Sequence, residues 1–324
     1  MYTAEYLLQS INEAIAAENY RNEPRELYEP INYIISIGGK RTRPVMLLMA
    51  ADMYGGDILQ AMPAALSIEM FHNFSLIHDD IMDNAPLRRG RQTVHEKWNA
   101  NTAILSGDTM LVKAYDQFLK LPGHLIRPAL AVFNLTATGV CEGQQLDMNF
   151  EKRDDVSISE YLEMIRLKTA VLIGAALKLG GLVAGATEED QQLLYDFGIQ
   201  TGLLFQLRDD LLDTYGNTEI FGKKQYGDII ANKKTFLYLK TLEQTPGNDR
   251  GKLAELYAGH TIEPDIKVKE VLKYFEAANV KKHTEGKIRE HYLLAREAFN
   301  AINVAEERKS NLEKYSEILM GRSF

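Results

Sequence analysis

The chain has 324 residues, 45% of them hydrophobic and 25% charged, with a formal net charge of −8. This leaves room for two average domains or one large one, describes a well-packed soluble protein, and argues against nucleic acid as the main partner, because a phosphate backbone needs a basic face. Cys141 is the single cysteine, so no internal disulfide can form; we expect a small buried apolar residue in a reducing, cytoplasmic setting. Helical periodicity dominates from end to end, and strand-like alternation is almost absent. The predicted helices are Tyr6 to Glu18, Leu27 to Ile37, Pro44 to Met53, Ala61 to Asp83, Thr102 to Lys120 and Leu125 to Asn149. They continue with Ser159 to Ala184, Glu188 to Tyr215, Lys234 to Glu243, Lys267 to Asn279, Lys281 to Ala301 and Val304 to Met320. Breaks fall at Gly38-Gly39, Gly55-Gly56, Pro86, Pro122-Gly123, Gly216-Asn217 and Pro246-Gly247-Asn248. None is long enough to link domains, so we expect one all-α domain over 1–324, a large antiparallel helical bundle. Met1 to Asn19 carries acidic residues and no apolar run, which predicts no signal peptide. The most apolar window, Val171 to Ala186, is interrupted by Lys178 and is too short to span a bilayer; we read it as a buried helix with a soft spot at Gly180-Gly181.

Two acidic clusters of one form carry the chemistry: Asp79-Asp80-Ile81-Met82-Asp83 and Asp209-Asp210-Leu211-Leu212-Asp213. On a helix, positions i and i+4 lie roughly 40° apart and i+1 lies roughly 100° away. Asp79 with Asp83 and Asp209 with Asp213 are therefore the expected primary ligands of a cation, with Asp80 and Asp210 more peripheral. Like charges stacked in this way repel, and each cluster lies near a helix C-terminus, where negative charge opposes the helix dipole. One such cluster could be a solvated helix end; two point to Mg²⁺, which takes a few carboxylates together with phosphate oxygens and water. His72 and Gln206 fall on the same helix faces as the aspartates, and Phe205 adjoins Gln206. Basic segments lie close to both clusters: Gly38-Gly39-Lys40-Arg41-Thr42-Arg43-Pro44, Leu87-Arg88-Arg89-Gly90-Arg91, Lys168, and Lys223, Lys224, Lys233 and Lys234. Arginine forks suit phosphate oxygens. The residues themselves thus indicate a metal-dependent protein that handles a phosphorylated substrate.

The segment from Phe71-His72-Asn73-Phe74-Ser75-Leu76-Ile77-His78-Asp79-Asp80 to Leu87-Arg88-Arg89-Gly90 resembles the first aspartate-rich region of the trans-isoprenyl diphosphate synthases. Phe205-Gln206-Leu207-Arg208-Asp209-Asp210 to Asp213 resembles the second. Gly38 to Pro44, Gly143-Gln144-Gln145-Leu146-Asp147, Lys168-Thr169 and Gly222-Lys223 to Asn232-Lys233 match the family's other blocks, so the resemblance runs from about Gly38 to Thr235. It departs at Tyr226, where a glycine is common.

The resemblance implies the all-α isoprenoid synthase fold with a central active-site cavity, usually in a homodimer. It implies a prenyltransferase that joins an allylic diphosphate to isopentenyl diphosphate, head to tail, with about three Mg²⁺ ions per active site drawing charge from the leaving group. It assigns the metal to Asp79, Asp80, Asp83, Asp209, Asp210 and Asp213. Arg88, Lys168 and Lys233 would hold the allylic diphosphate, and Lys40, Arg43, His72 and Arg89 the isopentenyl diphosphate. Thr169, Gln206 and the Lys168 carbonyl would line the allylic cation; Lys223 and Asp228 would belong to a closing loop, and Asp147 would orient water or a lysine. For product length it points to Phe71, Phe74 and Ser75, a pattern closer to a C20 producer than to a strict C15 producer. Two other enzyme classes compete, a terpene cyclase and a metal-dependent phosphohydrolase. The second Asp-rich motif with Lys40 and Arg43 disfavours the first, and the Arg88-Arg89 pair disfavours the second. A non-catalytic subunit of a heteromeric synthase typically loses aspartates that this chain keeps.

Overall fold

The computed structural model describes residues 1–18, 20, 23–216, 225–258 and 262–321. The described residues are helical almost throughout. In chain order they form α1 (Ala4–Ala17), α2 (Arg25–Ser36), α3 (Thr42–Met53), α4 (Ile58–Met82), a hairpin of β1 (Leu87–Arg88) and β2 (Arg91–Gln92), α5 (Val94–Lys97), α6 (Ala100–Phe118) and α7 (Gly123–Glu151). Then come α8 (Ile158–Ile165), a π-helical turn (Arg166–Ala170), α9 (Val171–Val183), α10 (Glu188–Tyr215), α11 (Gly227–Ile230), α12 (Phe236–Gln244), α13 (Gly247–Leu256), α14 (Pro264–Ala277), α15 (Val280–Ala301) and α16 (Glu306–Met320). The all-α expectation holds. Two compact units appear, one from Met1–Ala137, Leu172–Tyr195 and Ala301–Ile318, the other from Thr138–Val171, Asp196–Asn300 and Leu319–Phe324.

In the first unit, α3 is buried at every position from Pro44 to Met53, as an apolar helix enclosed on all sides must be. Gly180 and Gly181 are points of close contact, not a soft spot, and α9 runs through them unbroken. A Cβ on Gly180 would lie 2.2 Å from the Leu47 carbonyl oxygen, and one on Gly181 2.6 Å from Leu194. α4 starts on Asp57, whose carboxylate accepts from the Leu59 N–H at 2.9 Å, an N-cap of the usual kind. Its middle packs through Phe71 into an aromatic cluster with Phe133, Phe118 and Tyr115, at centroid separations of 5.1–5.3 Å around Phe133. Such edge-to-face packing fixes the helix that carries the first acidic motif.

In the second unit, α8 begins in a capping box of Ser157 and Glu160. Phe197 and Phe299 pack at 4.8 Å, and His291 Nδ1 meets the Gln200 side-chain oxygen at 2.7 Å, so α15 braces α10. α13 starts inside the break expected at Pro246-Gly247-Asn248 and is a helix that the sequence pattern does not announce. Its sequence, GNDRGKLAEL, has one buried residue, Leu253, so it lacks the apolar stripe that reveals a helix. Cys141 is exposed, against the expectation of burial, because it lies on an outward position of α7.

Candidate active site

The first unit assembles a basic cluster beside the first acidic motif. α4 carries Asp79 and Asp80 in its last turn, and Asp83 is its C-cap, donating its N–H to the Asp79 carbonyl at 2.8 Å. Asn84, left-handed at φ 48°, closes the helix, with the Ala85 N–H reaching back to the Asp80 carbonyl at 2.9 Å, and a hairpin after Pro86 returns the chain. Arg89 and Gly90, at φ 51° and 76°, occupy its tight turn, which demands positive φ at both central positions. That turn presents Arg88 and Arg89. The Arg88 guanidinium forks onto Asp80, with Nε 2.9 and 3.0 Å and Nη2 2.7 Å from the carboxylate oxygens. Asp80 is 1% exposed, so both its oxygens are engaged by Arg88. Arg89 lies over Gly39, where a Cβ would come within 2.6 Å of its guanidinium, and the φ of 151° there favours glycine.

The loop ahead of α3 supplies the rest. Arg41 turns inward at φ 47° and donates to Glu69 at 2.5 Å and to the Ile35 carbonyl at 2.7 Å. Asn73 in turn donates to Glu69 at 2.9 Å. Arg43 Nη1 donates to His72 Nε2 at 3.2 Å, which requires a neutral imidazole protonated on Nδ1. Burial, then Arg43, Arg89, Arg88 and Arg41, hold His72 well below the usual histidine range. Burial and neighbouring guanidinium groups also lower Arg43 and Arg89. Cations that depress one another in this way form a pocket of positive charge that an anion would relieve. Lys40 is exposed at its edge. Phe74 is buried, 5.5 Å from Phe71 and 4.7 Å from the His78 ring, and Ser75 donates to the His72 carbonyl at 2.9 Å.

The second unit shows the opposite charge. Tyr161 and Gln206 donate to Asp210, the Gln206 amide at 2.9 Å. Burial, followed by Asp209 and Asp213, pushes Asp210 up to about 7 against those bonds. Asp213 accepts from the N–H groups of Gly227 at 3.2 Å and Asp228 at 3.1 Å. Burial and the carboxylates of Asp210, Asp213 and Asp209 push Asp228 up to about 8. Asp210 and Asp228 are thus pushed towards neutrality by burial and by the carboxylates around them, a crowding that bound cations would relieve. The Thr169 hydroxyl donates to the Gln206 oxygen at 3.3 Å; Phe205, beside it, is partly exposed.

Lys168 and Thr169 sit on the π-helical turn, where the Val171 N–H reaches back to Arg166. π-turns often mark functional positions. Gly143 makes the turn possible, since a Cβ there would lie 2.3 Å from the Lys168 nitrogen. Lys168 donates to Asp147 at 2.7 Å, and Lys233 to the same oxygen at 3.4 Å and to Glu151 at 3.4 Å. Burial raises the Asp147 carboxyl, but the two lysines together hold it below the ordinary range. Tyr226, the departure from the expected glycine, takes the left-handed conformation itself, at φ 67°. Lys223 and Lys224 lie outside the described residues.

No three His, Cys, Asp or Glu residues among the described residues form a ready-made metal cage. The donor set still suits Mg²⁺, which takes one or two carboxylates and draws its other ligands from water and substrate phosphate. Sequence reasoning missed Glu69 and Tyr161, and gave Arg41 no separate role. Arg41 stands inside the basic segment, but Glu69 and Tyr161 carry no spacing signal of their own.

The polyprenyl synthetase family profile matches residues 24–275. A geranylgeranyl pyrophosphate synthase of Geoglobus acetivorans is 38% identical over 94% of this chain and 93% of its own. A geranylgeranyl diphosphate synthase of Methanosarcina mazei is 43% identical over 68% of this chain and 69% of its own. A crystal structure of a geranylgeranyl pyrophosphate synthase superposes with a TM-score of 0.95 at 46% identity, covering 100% of both chains.

Proposed function

Since the chain belongs to the polyprenyl synthetase family, we propose that it elongates an allylic diphosphate with isopentenyl diphosphate to a short all-trans prenyl diphosphate, C20 geranylgeranyl in preference to C15 farnesyl. We treat 1–324 as one synthase domain. One observation carries the reading: burial and the guanidinium groups clustered around them lower Arg43, Arg89 and His72, while burial and neighbouring carboxylates raise Asp210 and Asp228. A diphosphate answers the first demand and divalent cations the second.

In this reading Arg88, Lys168 and Lys233 hold the allylic diphosphate. Lys40, Arg43, Arg89 and neutral His72 hold isopentenyl diphosphate, His72 offering its Nδ1 proton. Asp79, Asp83, Asp209 and Asp213 are the principal holders of Mg²⁺, of which the family resemblance suggests about three ions, with Asp80 and Asp210 behind them. Bound Mg²⁺ supplies Lewis-acid withdrawal of charge from the departing diphosphate. The allylic C–O bond breaks with its electron pair leaving on diphosphate. The isopentenyl double bond attacks the allylic carbon, and a proton passes to the released diphosphate. Thr169 and Gln206 present oxygens to the allylic cation, and buried apolar walls exclude water from it. Phe71, Phe74 and Ser75 limit product length; Phe74→Ala is expected to lengthen the products, and an unchanged chromatographic profile would remove that role.

The apolar residues Leu105 and Val112 on α6 and Leu119 at its C-cap are exposed at seven-residue intervals. A stripe of this kind suits a second copy of the chain, and we propose a homodimer, to be checked by analytical ultracentrifugation. No helix among the described residues is long and apolar enough to cross a membrane; we propose a cytoplasmic setting. Incubation with isopentenyl diphosphate and dimethylallyl, geranyl or farnesyl diphosphate, followed by mass analysis, tests the reading. A C20 diphosphate is expected. Hydrocarbon from one allylic diphosphate alone would indicate a cyclase, and phosphate without a longer chain a hydrolase.

A further inference from the structure

Lys267 lies on α14, is 5% exposed, and pairs with no carboxylate among the described residues. A buried ammonium without a counter-charge is costly, and burial pushes this one down to about 8. A methionine would fill the same space at less cost. What lysine adds is three donors, and their targets are specific. Nζ donates to the Ile229 carbonyl at 2.5 Å and to the Asn232 side-chain oxygen. It also sits 4.9 Å above the Tyr257 ring, whose π face attracts a cation; Tyr257 is held in turn by stacking on Tyr238 at 3.9 Å.

Those targets bracket the turn that ends in Lys233. α11 runs from Gly227 to Ile230, and its last carbonyls need partners. Asn232 then takes the left-handed conformation at φ 58°, and the Lys233 N–H closes back on the Asp228 carbonyl at 2.9 Å. Lys267 ties the start of this turn to the side chain of its left-handed residue. The next residue sends its ammonium to Asp147, which Lys168 shares. On the far side, the buried Lys234 donates to the Phe150 carbonyl at 2.9 Å and to the Arg153 carbonyl, which anchors the chain just after Lys233.

We infer that Lys267 is a positioning residue: by gripping Ile229 and Asn232 it fixes the direction in which Lys233 leaves the turn, and so the binding of the allylic diphosphate. This rests on the reading of Lys233 as a ligand of that diphosphate. Lys267 touches no substrate and acts through Lys233 alone.

Steady-state kinetics with both substrates, alongside thermal unfolding, test this. Lys267→Met is expected to raise KM for the allylic diphosphate about tenfold, as a small misplacement of a binding group does, and to leave KM for isopentenyl diphosphate unchanged. In the Lys233→Ala background the same change should add nothing, because its only route is gone. Asn232→Gly keeps a residue at ease at positive φ while deleting one acceptor; it should raise the allylic KM in the same direction by a smaller factor, and it carries the test if Lys267→Met does not fold. Wild-type kinetics for Lys267→Met, equal loss for both substrates, or a full additional loss in the double variant would overturn the inference. An unchanged allylic KM for Lys233→Ala would instead overturn the role of Lys233, and the inference with it.

Discussion

Asp80 and Asp210 hold the same position in the same five-residue pattern, yet the Arg88 guanidinium grips Asp80, whereas the Tyr161 hydroxyl and the Gln206 amide hold Asp210. Both carboxylates are buried. The first is neutralised inside the protein by a full charge. The second is surrounded by neutral donors and other carboxylates, and its pKa rises to about 7. A repeated motif therefore does not mean a repeated environment. The first region pairs its buried acid with a guanidinium, and in the second burial and neighbouring carboxylates raise Asp210 and Asp228. The largest effect that could break this contrast concerns the outward members. Asp79→Ala and Asp209→Ala are each expected to lower turnover by about a hundredfold or more at saturating Mg²⁺, since a preorganised electrostatic contribution is lost, with unchanged circular dichroism. Near-normal rates in either would remove that acid from the metal set.

The next effect is on stability without substrate. Arg88→Met leaves a buried carboxylate unpaired and should cost about 3 kcal/mol by urea unfolding. Tyr161→Phe removes a single hydrogen bond to Asp210 and should cost about 1 kcal/mol. Equal costs would mean that the two inner aspartates are held alike after all.

Histidines sharpen the same contrast. His72 is kept neutral by burial and the arginine group. His291, which braces α10 through Gln200, is pushed down to about 4 by burial, with Lys287 adding a little. A histidine whose folded pKa lies below its unfolded value takes up protons first in the unfolded chain. Its contribution is intact above pH ~6.5 and is lost as pH falls towards 4. Urea unfolding from pH 7 to 4 should show a decline of which about 3 kcal/mol belongs to His291, and His291→Gln should lack that part. Parallel curves for the two proteins would contradict the assignment.

Much of this could be read before the structure. The long helices announced themselves through strong periodicity, and the two Asp clusters and the Gly38 to Pro44 loop through composition. What stayed hidden depends on tertiary partners or on backbone conformation. Arg41 and Arg43 look alike in sequence, but one is consumed by Glu69 and the other faces His72. The π-helical turn under Lys168 has no pattern of its own; it follows from how closely Gly143 lets α7 approach. The hairpin at Arg88 is set by positive φ at Arg89 and Gly90, not by alternation. Tyr161 and Lys267 are distant in sequence from the groups they hold.

The smallest effect concerns how each region makes its turns. Beside the first motif, positive φ falls on Asn84, Arg89 and Gly90; beside the second it falls on Tyr226 and Asn232. Asparagine and glycine tolerate that conformation, and a tyrosine does so at a cost of about 1–2 kcal/mol. Tyr226 remains there because its N–H bonds the Asp213 carbonyl at 2.9 Å, and the next two N–H groups reach the Asp213 carboxylate. The second acidic motif thus dictates a backbone shape that its own turn residue resists. Tyr226→Gly relieves the strain but frees the unfolded chain by about 0.5–1 kcal/mol, so the net change in unfolding free energy should be stabilising and under about 1 kcal/mol. The three bonds to Asp213 survive the change, so Mg²⁺ dependence of turnover should be unaltered. A shift in the Mg²⁺ requirement would mean that the tyrosine ring, and not the turn it closes, tunes the second motif.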